Sequence, residues 1–406
     1  MRPEPGTTGA PLLTADAPPT GAPLHGADAP PHGTDAPPHG VDAAVVRAED
    51  APGPTLVVRL DRLPPGALAS AGELAHLRQA LARTPYRDLN KIAVYGPSGR
   101  PAGAGLDYRF VQALPDGRFD FRTGCGHSLL ACVVAEGRAG PVAVRALTTG
   151  DTVLCRPRDS GAYDLDFLRA PTGPGTLPTG RPVDVLDGVP VSLVRYGNPY
   201  VLVDVRHLPL PGHADAPGFP SLPGLPDAPG FPSLPGLPDA PGFPGLPGLP
   251  DAPGFAGLPG LPGTTGFPGL PGTTGVPRLP DAPAGAGLEG LEARLLRLRA
   301  RAAVLLGYPP HSPLPKIAAF APAADGLFVR ALTVGGWHPR LALTGAAAFA
   351  AAGAVGGTVV PGPVGRIRTP GGTVVVSTGP DRVRVHDKRA HLVDRLRLPW
   401  RVHATA

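Results

Sequence analysis

The sequence predicts an α+β protein of two pseudo-symmetric domains, each a curled sheet around a central helix. Three observations carry that expectation. Two proline-rich tracts lack apolar periodicity and cannot build a core. The remainder alternates short β-branched runs with a few helices. The two halves then repeat one order of elements, each leading into a helix of small apolar residues.

The tracts set the domain limits. Of 406 residues, 57 are glycine and 59 proline, more than a quarter of the chain and in the range of low-complexity sequence. Residues 15–43 repeat ADAPPHG and TDAPPHG, so 1–53 is expected to be a disordered, Pro-rich N-terminal tract. Residues 215–283 run in triplets such as DAP GFP SLP GLP. Glycine heads every triplet only from Gly254 to Pro277, whereas a collagen triple helix needs it throughout. A Pro/Gly-rich, polyproline-like insertion is therefore expected over 208–287, with collagen-like trimerisation as the alternative. A first domain at 54–176 remains, to which 387–406 can return, and a second at 177–386 that the insertion interrupts.

Within those limits, strands are expected at "TLVVRL" (55–60), "KIAVYG" (91–96), "YRFVQAL" (108–114), "PVAVRAL" (141–147), "PVSLVRYG" (190–197) and "YVLVDVR" (200–206). Ser70 and Glu73 form a capping-box pattern that opens a helix running to about Arg83, before Pro85. Leu288–Leu306 has amphipathic spacing, and its Arg294, Arg297, Arg299 and Arg301 suit a solvated helix face better than a nucleic-acid patch. Ser128–Ala135 is small-sided and apolar all round, as a helix buried on every side would be.

Composition narrows the function classes. Cys125, Cys132 and Cys155 make no disulfide framework; on one helix the first two would lie about 10 Å apart, beyond disulfide reach. A reducing cytoplasm fits that usage, and we see neither a signal peptide nor an apolar span of membrane length. The net charge of +5 is scattered as single arginines, so neither a nucleic-acid nor a membrane partner is expected. His25, His32 and His39 recur at seven-residue spacing but read as a by-product of the repeat, and no metal site is expected. "GPSGRPAG" (96–103) lacks the lysine and helix of a phosphate loop.

The chemistry gathers at the repeat. One half reads Lys91-Ile92-Ala93-Val94-Tyr95, Phe110-Val111-Gln112-Ala113-Leu114, then Cys125-Gly126. The other reads Lys316-Ile317-Ala318-Ala319-Phe320, Phe328-Val329-Arg330-Ala331-Leu332, then Thr344-Gly345. Were the halves to face one another, both helix N-termini would aim at one cleft, an anion site with Cys125 on one wall and Thr344 on the other. A thiol on the first turn of a helix meets unpaired N–H groups that favour thiolate; the alternative is a small core hydrophobe. Of only three lysines, Lys91 and Lys316 stand at matched strand starts, while Lys388 lies in a charged stretch and is expected to be solvated. A buried lysine can lose its proton and act as a base, which arginine cannot. The alternative for Lys91 is a strand-start lysine paired with an acid, and for His127 a helix-start imidazole touching solvent.

Lys91, "LDYRFVQ" (106–112), "CGH" (125–127), "GNP" (197–199), "PK" (315–316), "RALTVGGWH" (330–338) and "LTGA" (343–346) together resemble the PrpF family in order and spacing. That family includes 2-methylaconitate cis-trans isomerase and 4-oxalomesaconate tautomerase, and it has the two-domain fold of diaminopimelate epimerase. The resemblance covers most of 54–207 and 284–406 and implies diaminopimelate-epimerase-like domains. It implies Lys91 and Cys125 as the proton-transfer pair, without a cofactor. Substrate contacts are expected from Gly126, His127, Ser128, Asn198, Lys316, Arg330, His338, Thr344 and Gly345. The partner expected is a small carboxylate substrate, and the assembly a monomer or homodimer. Thr369-Pro370-Gly371-Gly372 stands where the family shows HPSG, and "AHLVDRL" (390–396) in its closing RTARRL-like segment.

The chain departs from the pattern at "PGPTL" (52–56), where the family has GGTSKG, and at "YRDLN" (86–90), its shortened approach to the lysine. His127 replaces the asparagine of CGN, and Gly371 the serine of HPSG. Two functions follow as expectations: a cofactor-independent isomerase of a small unsaturated di- or tricarboxylic acid, or a non-catalytic relative whose cleft binds a carboxylate and whose repeats mediate association.

Overall fold

The computed structural model describes residues 39–99, 105–208, 288–309, 312–333 and 336–400. Beyond Leu208, the expected insertion at 208–287 lies outside the described residues, as does most of the N-terminal tract.

The first half runs β1 (His39–Ala48), β2 (Thr55–Arg59), α1 (Ala71–Leu81), β3 (Lys91–Pro97), β4 (Leu106–Ala113), β5 (Phe119–Asp120) and α2 (Gly126–Glu136), then β6 (Val142–Ala146), β7 (Thr152–Pro157) and β8 (Tyr163–Phe167). After β9 (Asp184–Leu186), the second half runs β10 (Val189–Tyr196), β11 (Asn198–Asp204), α3 (Leu288–Leu305), β12 (Lys316–Ala323), β13 (Gly326–Thr333), β14 (Gly336–His338) and α4 (Leu343–Ala354). It closes with β15 (Arg366–Thr369), β16 (Gly372–Thr378) and β17 (Val383–Lys388), and β18 (Ala390–Trp400) follows.

Pairing repeats along with order. In the first half β1–β2 is antiparallel, β2–β3 parallel, β3–β4 antiparallel, β4–β6 parallel, and β6–β7 and β7–β8 antiparallel. In the second, β10–β11, β11–β12, β12–β13, β13–β15, β15–β16 and β16–β17 follow the same alternation. β8 and β17 join antiparallel, so one strand system runs through both halves.

Each sheet packs a helix on each of its two faces. One face wraps α2 or α4 in a core shared by the two halves, which includes Leu130, Val144, Phe320 and Phe349. The other face packs on α1, through Leu74 and Leu77, or on α3, through Leu291, Leu295 and Leu298. The composition explains who goes where. α4 (LTGAAAFAAAGA) is buried from Leu343 through Ala352, and its methyl-sized side chains let strands approach on all sides. α1 and α3 bury one face only. α2 stops at Gly137, whose φ of 68° is the left-handed end that glycine takes without a Cβ penalty.

Three local expectations need correction. The tract expected to be disordered through residue 53 includes β1, which pairs with β2 and β18. Its alternation is two-sided: Val41, Ala43 and Val45 join the α1 core, Ala44 and Val46 the α2 core. Ser70 is the N-cap of α1 by position, but its hydroxyl makes no capping bond, and the helix ends at Leu81 rather than near Arg83. Backbone N–H groups of Ala82 and Thr84 turn back onto Arg78 and Leu81 carbonyls there.

The tips of the two central helices touch. A Cβ built on Gly126 would lie 2.7 Å from the Leu343 Cβ, so only glycine lets α2 begin where it does. Gly126→Ala is expected to cost roughly 1–3 kcal/mol by overpacking, read as a lower midpoint in urea or heat; unchanged stability would mean the tips yield easily.

Candidate active site

A cavity of about 260 Å³ opens where those tips meet. Its wall takes Pro52, Gly53 and Pro54 from the β1–β2 turn and Lys91 from the start of β3. Thr123, Gly124, Cys125 and His127 come from the approach to α2, Lys316 from β12, His338 from β14 and Ala342 from the cap of α4.

Each functional side chain has a local reason to be there. Lys91 and Lys316 open equivalent strands, and their pairing with Gln112 and Tyr200 sets them at the same end of the two sheets. Cys125 is the extended N-cap residue of α2 and is partly exposed. Its peptide is held on both sides by one hydroxyl: the Cys125 N–H donates to Tyr108 Oη at 3.3 Å, and Tyr108 donates to the Cys125 carbonyl at 2.9 Å. The first-turn N–H groups that follow have no acceptor within the helix.

Electrostatically the cavity is cationic and poorly matched. Lys91 is 8% exposed, and its Nζ donates to the Gly53 carbonyl at 3.2 Å. Burial pushes its pKa down; Cys125 opposes that, while Lys316 and Arg47 add to it. Burial also lowers Lys316, again opposed by Cys125 and by Asp120. Cys125 thus lies in the field of both amines. The imidazoles are neutral. Burial and the neighbouring Lys91 and His338 push His127 well below its ordinary value, and its Nε2 has no hydrogen-bond partner among the described residues. Burial, with Lys316, brings His338 from 6.5 to about 4, and the Arg340 amide donates to its Nδ1 at 3.1 Å.

Of the residues expected at the site, Lys91, Cys125, His127, Lys316 and His338 line the cavity. The others stand behind it. Asn198 is fully buried: its Oδ1 accepts from the Gly124 N–H at 2.7 Å, and its Nδ2 donates to the Gly124 carbonyl at 2.8 Å and to Thr344 Oγ1 at 3.3 Å. It clasps the approach to Cys125 onto α4 instead of facing the cavity. Ser128 Oγ pairs with Thr55 Oγ1 at 3.0 Å, tying α2 to β2. Gly126 and Gly345 give close approach, Gly345 beneath the Tyr200 ring, and Arg330 lies over the Trp337 ring.

An alternative for His127 and the expectation for Lys388 also fail. His127 is 2% exposed, not a solvent-touching imidazole, and Lys388 is 4% exposed, not solvated, with its Nζ donating to Asp50 at 2.6 Å. The sequence marks the Pro52–Pro54 lip only as a departure from the family pattern and does not single out Thr123, Gln112 or Thr333 as site residues. Gln112 was within reach of it, because it is the repeat mate of Arg330. Among the described residues, no group of three or more His, Cys, Asp or Glu side chains could hold a metal ion, and no helix is long and apolar enough to cross a membrane.

Stability should follow the histidines. With its folded pKa at about 4 and its unfolded value near 6.5, His338 leaves the unfolded state binding more protons between those limits. Its contribution is therefore present above pH 6.5 and lost as pH falls toward 4, with a ceiling of roughly 3 kcal/mol. Urea titrations at several pH values should show that loss, and His338→Gln should flatten it; a parallel curve for the variant would refute the assignment.

No family model and no curated protein matches the sequence. Among solved structures, a methylitaconate-delta-isomerase is similar at 18% identity over 89% of this chain and 96% of its own, with a TM-score of 0.51. A hydroxyproline epimerase from Agrobacterium vitis with bound trans-4-hydroxy-L-proline is 14% identical over 89% and 93% of the two chains, with a TM-score of 0.47. A probable proline racemase from Agrobacterium radiobacter K84 with bound carbonate is 15% identical over 88% and 92%, with a TM-score of 0.45. The chain has the fold of the methylitaconate-delta-isomerase, which is the PrpF-like, diaminopimelate-epimerase-like fold that its motifs lead one to expect.

Proposed function

We propose that this protein is a cofactor-independent isomerase of a small unsaturated di- or tricarboxylic acid, shifting a double bond or its geometry by proton transfer. The observation that carries the proposal is the convergence of Cys125, Lys91 and Lys316 on one cavity at the tips of α2 and α4. The isomerase named among the similar folds supports it.

In this reading the halves act as two pseudo-symmetric domains, the first including β1 and β18. Lys91, whose pKa is lowered, takes a proton as a neutral amine from the carbon next to a carboxylate. The electron pair moves into an enolate-like system, whose charge faces Lys316 and the free N–H groups of the two helix tips. Cys125, as a thiol, delivers a proton to the other end of the allylic system. Lys91 is left as ammonium and Cys125 as thiolate, and exchange with solvent resets them. Lys316 and the N–H groups of the two helix tips offer separate places for more than one carboxylate.

A second reading, a non-catalytic carboxylate binder, is favoured by the lip: the Gly53 carbonyl accepts from Lys91 Nζ, where the family's GGTSKG would stand. Incubation with unsaturated di- and tricarboxylic acids in D₂O separates the two. An isomerase should incorporate deuterium, and Cys125→Ala or Lys91→Ala should each lower the rate by about 10²-fold or more. Near-normal turnover in either variant would remove it from the mechanism, and exchange by neither variant nor wild type would favour the binder.

A further inference from the structure

We propose that Asp50 is a positioning residue that sets the tautomer of His338 at the cavity wall. Asp50 lies in the β1–β2 turn, and its two carboxylate oxygens serve different elements. Oδ2 accepts from Lys388 Nζ, at the end of β17, at 2.6 Å, and Oδ1 accepts from the Arg340 guanidinium, between β14 and α4. Arg340 in turn gives its backbone N–H to His338 Nδ1 at 3.1 Å. A neutral imidazole whose Nδ1 accepts carries its proton on Nε2, so the Arg340 amide makes His338 an Nε2–H donor.

Arg340 has little freedom to sit elsewhere. A Cβ on Gly371 would lie 2.6 Å from both Arg340 Cγ and the Pro339 carbonyl oxygen, so the 371–372 turn packs directly on that side chain. This accounts for a glycine where the family pattern has serine. The same Asp50 begins the turn whose Gly53 carbonyl holds Lys91 Nζ at 3.2 Å. One carboxylate therefore steadies the lip over Lys91 and the segment that orients His338. Its side chain is 12% exposed and that of Lys388 is 5%, so the pair is shielded from solvent competition.

The role rests on the isomerase reading in one respect: there, His338 Nε2–H donates to the substrate oxygen on which negative charge develops. The geometric part stands without it. Burial, which keeps His338 neutral near pH 7, makes the tautomer observable.

The test uses the full chain labelled with ¹⁵N-histidine, with His338 assigned from the His338→Gln difference spectrum. Wild type should show His338 as a single Nε2–H tautomer at pH 7. Asp50→Asn should give an averaged mixture while the His127 pattern holds. On an acid that wild type turns over, the same variant should lose up to about 10²-fold in kcat, with KM within about twofold, because a donor is misplaced and not removed. Arg340→Met keeps Asp50 paired with Lys388 and so guards against a folding defect; it should show the same averaging. A wild-type His338 pattern in both folded variants would overturn the proposal. Absence of turnover by wild type on every acid would defeat the isomerase reading alone, since the tautomer arm does not depend on it.

Discussion

The close approach of α2 and α4 is the constraint on which the rest depends. Gly126 admits Leu343 where a Cβ could not fit, Gly197 meets the Thr344 side chain in the same way, and Asn198 bonds Gly124 and Thr344 at once. These contacts fix two helix tips against one cavity. Without them each half would still own a buried helix, but Cys125 and Lys316 would have no reason to share a wall. A fully buried amide with its hydrogen bonds satisfied is costly to lose, since an orphaned partner keeps its desolvation penalty of about 1–3 kcal/mol.

The second constraint is charge. Lys91 and Lys316 are drawn from water by strand-start positions beneath the β1–β2 lip and beside β14. Neither has a carboxylate hydrogen-bonded to it among the described residues; Lys91 has a carbonyl instead. Lys388, by contrast, is answered by Asp50. The contrast divides the three lysines by role. An answered lysine belongs to the architecture, and the other two leave an electropositive field for whatever enters the cavity. Two neutral imidazoles beside them add hydrogen bonding without adding charge, which keeps that field from becoming prohibitive.

Much of the fold was legible in advance because it rests on short-range pattern. β-branched runs marked β2, β3, β10 and β11, small apolar runs marked α2 and α4, and amphipathic spacing marked α3 to within a residue of its end. β1 was not legible, because the ADAPPHG repeat runs into it and its longest pairing is with β18, some 350 residues on. Ser70 illustrates the opposite error: the capping pattern is present, but the observed N-cap backbone is helical (φ −93°, ψ −7°), so the hydroxyl makes no cap bond.

The sequence by itself determined which residue types stand at the key positions: a scarce lysine at each of two matched strand starts, and a cysteine between glycines at a helix tip. Residue type and local spacing are properties of the chain and can be read from it. Only the tertiary structure decided what each residue faces. It turned Asn198 and Ser128 from the cavity into ties between elements, buried His127 and Lys388, and made the Pro52–Pro54 turn a cavity lip. Those outcomes depend on strands and helices far apart in sequence meeting at one point, and no local pattern encodes the partner that will arrive.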